Sequence, residues 1–142
     1  MTIKHDRNFD DLFDRFDSKI YDTVKGEWRL RLLKEDLAQF VSASPLDVWD
    51  AGCGQGQISL WLAEQGHHLT LCDLSEKMLN TAKVNFEQAN ITANFYQQSA
   101  QSLATELPQF DLVICHAVLE WLSEPISSLQ MIIDKVKPNG YL

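Results

Sequence analysis

A glycine-rich loop between a short apolar run and a helical stretch constrains the fold of this chain more than any other feature. The loop reads Asp50-Ala51-Gly52-Cys53-Gly54-Gln55-Gly56; the apolar run 46–49 precedes it and the helical stretch 58–65 follows it. Glycines at such a place let the backbone turn tightly and let a ligand approach bare backbone. The order strand, glycine loop, helix is typical of an open parallel sheet that binds a ligand beyond the carboxyl ends of its strands.

The same alternation of short apolar runs and helical stretches continues after the loop. It predicts parallel strands joined by right-handed crossovers. The predicted strands are 46–49, 69–72, 93–97 and 110–115, and the predicted helices are 58–65, 75–89 and 127–136. Residues 138–140 indicate a turn, and Tyr141-Leu142 has the character of the entry to a fifth strand. We therefore expect an α/β, Rossmann-like sheet that is truncated after its fourth strand and lacks the C-terminal half of the fold.

The first 42 residues predict helices that cap this sheet. Asn8 is suited to the N-cap of a first helix, and Gly26 separates it from a second helix over 27–41. We expect one domain, with residues 1–42 as a helical cap and residues 46–142 as an incomplete parallel sheet. The apolar residues that share one face of the first helix are Phe9, Leu12, Phe13, Phe16 and Ile20.

Asp73 ends the second predicted strand, where a carboxylate can accept hydrogen bonds from both hydroxyls of a ribose. Dinucleotides and S-adenosylmethionine both contain such a ribose. Dinucleotide loops follow the pattern Gly-x-Gly-x-x-Gly, whereas Gly52, Gly54 and Gly56 are evenly spaced. Asp50 would lie poorly beside a pyrophosphate but well beside an amino group and a sulfonium. The loop therefore favours S-adenosylmethionine over a nicotinamide cofactor.

The net charge of −8 argues against non-specific binding to a polyphosphate. Residues 1–36 nevertheless hold eight of the twelve basic residues, together with nine acidic ones, so a nucleic acid would have to dock locally and specifically. No run approaches the roughly 18–20 apolar residues of a membrane span. The N-terminus has no secretory signal, so a soluble, cytoplasmic protein is expected.

The remaining histidines, cysteines and tryptophans receive simpler interpretations. His67 and His68 follow Gly66 and are predicted to lie in a surface turn. Trp121 is interpreted as a core residue, with a place in the substrate cleft as the alternative. The spacing of the three cysteines matches neither a disulfide framework nor a metal site, so no metal is expected. They are Cys53, Cys72 and Cys115.

Four segments resemble, in order, the motifs of the seven-stranded S-adenosylmethionine-dependent methyltransferases. They are the glycine loop, Leu71-Cys72-Asp73-Leu74-Ser75, Phe110-Asp111-Leu112-Val113-Ile114 and Val136-Lys137-Pro138-Asn139-Gly140. More narrowly, the flanking segments resemble the family of tRNA 5-carboxymethoxyuridine methyltransferases. These segments are Asp6-Arg7-Asn8-Phe9-Asp10-Asp11, Lys25-Gly26 and His116-Ala117-Val118-Leu119-Glu120-Trp121. The resemblance implies methyl transfer to the carboxylate of 5-carboxymethoxyuridine at the tRNA wobble position, which forms the methyl ester, with tRNA as the partner.

The resemblance also implies which residues bind S-adenosylmethionine. Arg29 would contact its methionine carboxylate, Asp73 its ribose, and Ala100 and Gln101 its adenine. Related enzymes often bind the adenine amine with an aspartate after the third strand; no aspartate follows here, so Ser99 or backbone groups must serve. The full set of expected cofactor-binding residues is Arg29, Asp50, Gly52, Cys53, Gly54, Asp73, Leu74, Ala100, Gln101 and His116.

The implied chemistry requires no general base. The methyl group of a sulfonium is already activated and a carboxylate is ionised at neutral pH, so no catalytic residue is assigned. His116 is the candidate base if the acceptor is instead a hydroxyl or an amine. Two alternatives stay open at this point. One is a methyltransferase for the carboxylate of a small molecule or an acyl carrier, which the acidic net charge suits; the other is a cofactor-binding chain without activity.

Overall fold

The computed structural model describes residues 5–13, 23–41 and 43–142, and its centre is a sheet of five parallel strands. The order across the sheet is β3-β2-β1-β4-β5, so the strand order reverses between β1 and β4. Ligands of open α/β sheets bind at such a reversal, beyond the carboxyl ends of the strands. The strands are β1 (Asp47–Ala51), β2 (His68–Cys72), β3 (Asn94–Tyr96), β4 (Phe110–Ile114) and β5 (Val136–Tyr141).

Helices lie between the strands, and three of them have a side-chain cap at their first turn. Thr23, Ser75 and Ser99 each accept a backbone N–H with their hydroxyl oxygen, as N-cap residues do. Two short 3₁₀ helices, Asp10–Leu12 and Leu119–Trp121, complete the described elements. The helices are α1 (Val24–Ala38), α2 (Gln57–Glu64), α3 (Glu76–Gln88), α4 (Ala100–Ala104) and α5 (Pro125–Ile133).

Buried apolar side chains form two layers, one on each face of the sheet. Val48 and Trp49 are neighbours in β1 and are both fully buried, which places them on opposite faces because side chains alternate along a strand. Val48 packs in the layer that contains Leu62 of α2 and Phe86 of α3. Trp49 packs in the layer that contains Ile132 of α5. The sheet is therefore covered by helices on both faces, which leaves its carboxyl edge for the site.

The predicted fold class is confirmed, but the sheet has five strands rather than four. Strand β5 includes Pro138, which lies in a segment that the sequence indicates as a turn. Phe110 pairs with Val136 and Leu112 pairs with Tyr141, with a register irregularity between the two pairs. A strand at the edge of a sheet tolerates proline at such an irregularity. Proline lacks an N–H, but no carbonyl of the neighbouring strand loses its hydrogen-bond donor there. The turn residues are therefore part of the strand.

Two helices differ from their predicted bounds, and one was missing from the prediction. Helix α1 begins at Val24, so Gly26 lies in its first turn, where its N–H donates to the Thr23 hydroxyl at 3.2 Å. Helix α5 begins at Pro125, since proline suits the first turn of a helix. Helix α4 has only five residues, too few for a helical period to be visible in the sequence.

The predicted first helix is only partly testable, because Phe16 and Ile20 lie outside the described residues. Before that point the chain forms the 3₁₀ turn Asp10–Leu12. None of the helices in the described parts of the chain is both long and apolar enough to cross a membrane.

Candidate functional site

A cavity of about 430 Å³ lies at the carboxyl ends of the strands, around the reversal between β1 and β4. Its walls come from the segments that follow β1, β2, β3 and β4, from one side of α1, and from residues 6–9. This volume lies within the roughly 300–1,000 Å³ that small-molecule sites occupy. The topology of the sheet therefore places a ligand-sized space where the fold predicts one.

Gly52 closes one end of the cavity. Its φ of +94° lies in the region that favours glycine, and a Cβ at this position would lie 2.6 Å from Cγ2 of Val118 on the facing wall. The amides of Gly52 and Cys53 both donate to the carbonyl of Cys72, at 3.0 Å and 2.9 Å. Glycine is needed here because the loop lies against β2 on one side and against the segment after β4 on the other.

Asp73 follows β2 and joins two loops of the site. Its Oδ2 accepts the N–H of Gly54 at 2.9 Å, and its Oδ1 accepts the N–H of Ser75 at 2.9 Å. Burial raises the pKa of Asp73 despite these two hydrogen bonds. Each carboxylate oxygen has a second lone pair, so Asp73 can also accept hydrogen bonds from a ligand in the cavity.

Asp50 is a second acid on the cavity wall, and only 4% of it is exposed. The hydroxyl of Ser59 in α2 donates to its Oδ2 at 2.7 Å. Burial raises the pKa of Asp50, the Ser59 hydrogen bond opposes this change, and the nearby charge of Asp73 adds to it; together they set the pKa of Asp50 at about 7. No lysine or arginine of the described residues forms an ion pair with either acid. This part of the cavity therefore favours a ligand with positive charge.

Residues His5–Phe13, called here the N-terminal strap, lie against the loops that form the cavity. Asp6 accepts the N–H of Ser123 at 2.8 Å and the Ser123 hydroxyl at 3.0 Å, and it also accepts the side-chain amide of Gln101. Burial alone would raise the pKa of Asp6, but the hydrogen bonds from Ser123 and Gln101 outweigh it and lower the pKa. Asp6 is therefore ionised at neutral pH and joins the strap to the segments after β3 and β4.

Three further contacts fix the strap. The N–H of Arg7 donates to the carbonyl of Trp121 at 2.9 Å, and the Phe9 ring meets the Trp121 ring edge-on with centroids 4.8 Å apart. Asp10 accepts the hydroxyl hydrogen of Ser75, at the start of α3. The strap is thus tied to the segments that follow β2, β3 and β4.

All ten residues that the resemblance assigns to cofactor binding line this one cavity. Arg29 and His116 are exposed at its border, whereas Ala100 is buried. Ser99 lines it as well, and its hydroxyl caps α4 by accepting the N–H of Ser102 at 3.1 Å. By position, the ten are Arg29 on α1; Asp50, Gly52, Cys53 and Gly54 at the end of β1; Asp73 and Leu74 after β2; Ala100 and Gln101 in α4; and His116 after β4.

Sequence reasoning assigned no site role to Asp6, Arg7 or Phe9, which also line the cavity. Phe9 was expected on the apolar face of a helix, but it packs on Trp121 instead. Trp121 lies on the cavity wall, which agrees with its alternative interpretation. The available signal was the resemblance of segment 6–11 to one methyltransferase family, which gave no indication of its contacts.

The prediction that His67 lies at the surface is wrong. Only 6% of this residue is exposed, and its Nδ1 accepts the N–H of Leu46 at 3.0 Å. Burial lowers the pKa of His67, and the neighbouring His68 lowers it further. His68 is exposed, as predicted. His67 is a structural residue that holds the start of β1 to the turn before β2.

A comparison with family models matches residues 49–142 to the family described as "Methyltransferase domain". The tRNA 5-carboxymethoxyuridine methyltransferase of Escherichia coli (strain K12) is 41% identical over 143 residues, which cover 96% of this chain and 55% of that protein. The ubiquinone biosynthesis O-methyltransferase of Nitrosospira multiformis is 35% identical over 97 residues, which cover 68% of this chain and 41% of that protein. The chain thus spans about half the length of the curated relatives it matches.

Solved structures agree on the fold. Magnesium protoporphyrin IX methyltransferase from Synechocystis PCC 6803, crystallised with bound S-adenosylmethionine, matches with a TM-score of 0.76 and 21% identity. The match covers 91% of this chain and 68% of that one. At this identity the likeness establishes the arrangement of strands and helices, and the chemistry has to be argued from the residues of the site.

Proposed function

The chain belongs to the methyltransferase domain family, and from this membership we propose that it binds S-adenosylmethionine in the cavity at the carboxyl edge of the sheet. We further propose that the acceptor is the carboxylate of 5-carboxymethoxyuridine at the wobble position of tRNA, and that the product is its methyl ester. The similarity to the E. coli tRNA methyltransferase, which extends over 96% of the chain, supports this acceptor.

One observation carries the proposal for the cofactor: a buried acid, Asp50, and a half-buried acid, Asp73, line a cavity that a glycine loop closes, and neither forms an ion pair with a lysine or arginine of the described residues. A buried carboxylate without a partner is costly, and a ligand with an amino group and a sulfonium supplies the missing positive charge. A pyrophosphate would instead meet Asp50 with like charge. The residues therefore fit S-adenosylmethionine better than a dinucleotide.

Each part of this ligand has a matching group on the cavity wall. Asp73 has lone pairs for the ribose hydroxyls, because a carboxylate has about four acceptor positions and those of Asp73 hold the N–H groups of Gly54 and Ser75. Ala100 and Gln101 would lie against the adenine, and Arg29 would bind the methionine carboxylate. The glycine loop would lie along the amino-acid part, and a side chain at Gly52 would displace Val118 on the facing wall.

The protein's task in this reaction is alignment and exclusion of water. S-adenosylmethionine supplies an activated methyl group, and a carboxylate acceptor needs no deprotonation, so no general base is required. The reacting atoms must be held in line at roughly 3–3.5 Å. Phe9 and Trp121, in contact with each other on the cavity wall, offer an apolar surface that excludes water from the acceptor.

A second acceptor class has specific support. The ubiquinone biosynthesis O-methyltransferase of N. multiformis is 35% identical over 97 residues, and the net charge of −8 suits a small molecule better than a polyanion. His116 is exposed at the border of the cavity, where it could accept the proton of a phenolic hydroxyl. An O-methyltransferase acting on a small phenol is therefore the second candidate.

The two candidates are separated by one transfer assay. The protein is incubated with S-adenosylmethionine labelled in its methyl group and with either tRNA that contains 5-carboxymethoxyuridine or a panel of catechols and small carboxylic acids. Label in tRNA that mild alkali removes, together with a methylated nucleoside by mass spectrometry, is the result expected for the ester. Label only in the catechols would replace the tRNA proposal with the second candidate. Binding of the cofactor is measured in parallel, so loss of the acceptor and loss of the cofactor are distinguished.

A further inference from the structure

Asp50 stands out among the acids of the site because its surroundings give it almost no stabilisation as an anion. It is 4% exposed, and within the described residues its carboxylate accepts one hydrogen bond, from Ser59 Oγ at 2.7 Å. Asp73, by contrast, accepts two backbone N–H groups. An anion in this environment depends on charge that arrives with a ligand.

Among the residues that the structure describes, the groups next to Asp50 carry no positive charge. Ser59 of α2 is neutral, Asp73 after β2 is acidic, and burial raises the pKa of each of the three nearby cysteine thiols, which keeps them neutral. Across the cavity, the groups of the described residues that can carry charge are Arg29 on α1, Asp6 and Arg7 in the strap, and His116 and Glu120 after β4. The nearby cysteines are Cys53 in the loop, Cys72 in β2 and Cys115 after β4.

From this arrangement, and resting on the proposed function, we propose that Asp50 is the residue by which the site distinguishes S-adenosylmethionine from the spent cofactor, S-adenosylhomocysteine. Binding of the sulfonium-bearing form drives Asp50 to its carboxylate, and the proton that leaves Asp50 passes to the solvent. After transfer the sulfonium becomes a neutral thioether. The carboxylate then loses part of its compensating charge, which favours release of the product.

The direction of the pH dependence follows from the protonation state of the free protein. Because burial raises the pKa of Asp50 to about 7, the group is mostly neutral at pH 6 and mostly ionised at pH 8. If the sulfonium ligand binds the ionised form alone, its association constant rises by about tenfold from pH 6 to pH 8. The association constant of S-adenosylhomocysteine rises less, so the preference for S-adenosylmethionine increases with pH.

Calorimetric titration tests this directly. The protein is titrated with each form of the cofactor at pH 6, 7 and 8, in phosphate and in Tris, whose different ionisation enthalpies reveal the number of protons released. Asp50→Asn removes the titrating group, and Ser59→Ala removes the hydrogen bond that stabilises the anion. Glu87→Gln, an equal change of charge at an exposed position in α3, is the matched control.

In the wild-type protein we expect about half a proton released at pH 7 with S-adenosylmethionine and a rise of about tenfold in affinity between pH 6 and 8. Both effects should vanish in Asp50→Asn and persist in Glu87→Gln. The midpoint should move to higher pH in Ser59→Ala. Binding of S-adenosylmethionine with no proton release and equal affinity at pH 6 and 8 would overturn the inference and leave the proposed function standing. A pH dependence that persists in Asp50→Asn would also overturn the inference, and absence of any binding would refute both proposals.

Discussion

Substitution of Gly52 tests whether the close approach of the glycine loop to the facing wall is essential to the site. Gly66 gives a matched control, because the two glycines have nearly the same φ, +94° and +95°. A Cβ at Gly66 would meet no atom within 4 Å, whereas a Cβ at Gly52 would lie 2.6 Å from Val118 Cγ2. The backbone strain of an alanine is therefore shared by both variants, and the steric overlap is confined to Gly52→Ala.

The expected free-energy changes can be worked out from these two contributions. A left-handed conformation costs a non-glycine residue roughly 1–2 kcal/mol, so Gly66→Ala should lower the free energy of unfolding by that amount. Overpacking adds about 1–3 kcal/mol, and Val118 is stiff because it is β-branched. Gly52→Ala should therefore cost about 2–5 kcal/mol in total.

Urea denaturation of the two variants measures the difference. Gly52→Ala is also expected to weaken binding of S-adenosylmethionine, because the displaced Val118 changes the cavity wall, while Gly66→Ala leaves the affinity unchanged. Equal losses of stability in the two variants would show that the Val118 side chain moves away from the added Cβ with no penalty in free energy. That result would refute the argument that the loop and the facing wall require a glycine at position 52.

Three further predictions concern other parts of the site and fold. Asp73→Asn should weaken S-adenosylmethionine binding by about 1.5–3 kcal/mol, roughly 10- to 150-fold. An asparagine has one acceptor oxygen for the two N–H groups that Asp73 accepts, so thermal denaturation should also show a loss of stability. Unchanged affinity in the folded variant would remove Asp73 from the site. Burial lowers the pKa of His67. The stability gained from its hydrogen bond to the Leu46 amide is therefore present above about pH 6.5 and is lost as the pH falls. Thermal denaturation from pH 7.5 to 5 should show a decline in melting temperature that is smaller in His67→Asn. Asp6→Ala should speed hydrogen exchange at the Ser123 amide by about tenfold or more, and unaltered exchange would mean that the strap is held without Asp6.

The glycine loop and the acids of the site could be predicted because their evidence is local. The loop lies between a strand and a helix that each show their own periodicity, and Asp73 ends the next strand. In a parallel sheet the carboxyl ends of all strands meet at one edge. Residues from four separate segments therefore line one cavity, and no long-range contact had to be known to expect this.

The strap and His67 could not be predicted, since their partners are distant in the sequence. Asp6 bonds Ser123, 117 residues away, and no local pattern indicates which loop an exposed aspartate will reach. His67 follows a glycine, which is typical of a surface turn, yet it is buried because Nδ1 accepts the Leu46 amide. Strand β5 was hidden for a related reason: its proline, asparagine and glycine favour a turn, and only pairing with β4 makes them part of a strand.

The central claim is that the cavity at the reversal of strand order is a site for S-adenosylmethionine. Calorimetric titration of the chain with S-adenosylmethionine, with NAD as the control ligand and circular dichroism to confirm folding, tests it most directly. The account predicts one binding site for S-adenosylmethionine that Asp73→Asn weakens, and no binding of NAD. A folded chain that binds NAD, or that binds S-adenosylmethionine equally well without Asp73, would contradict it.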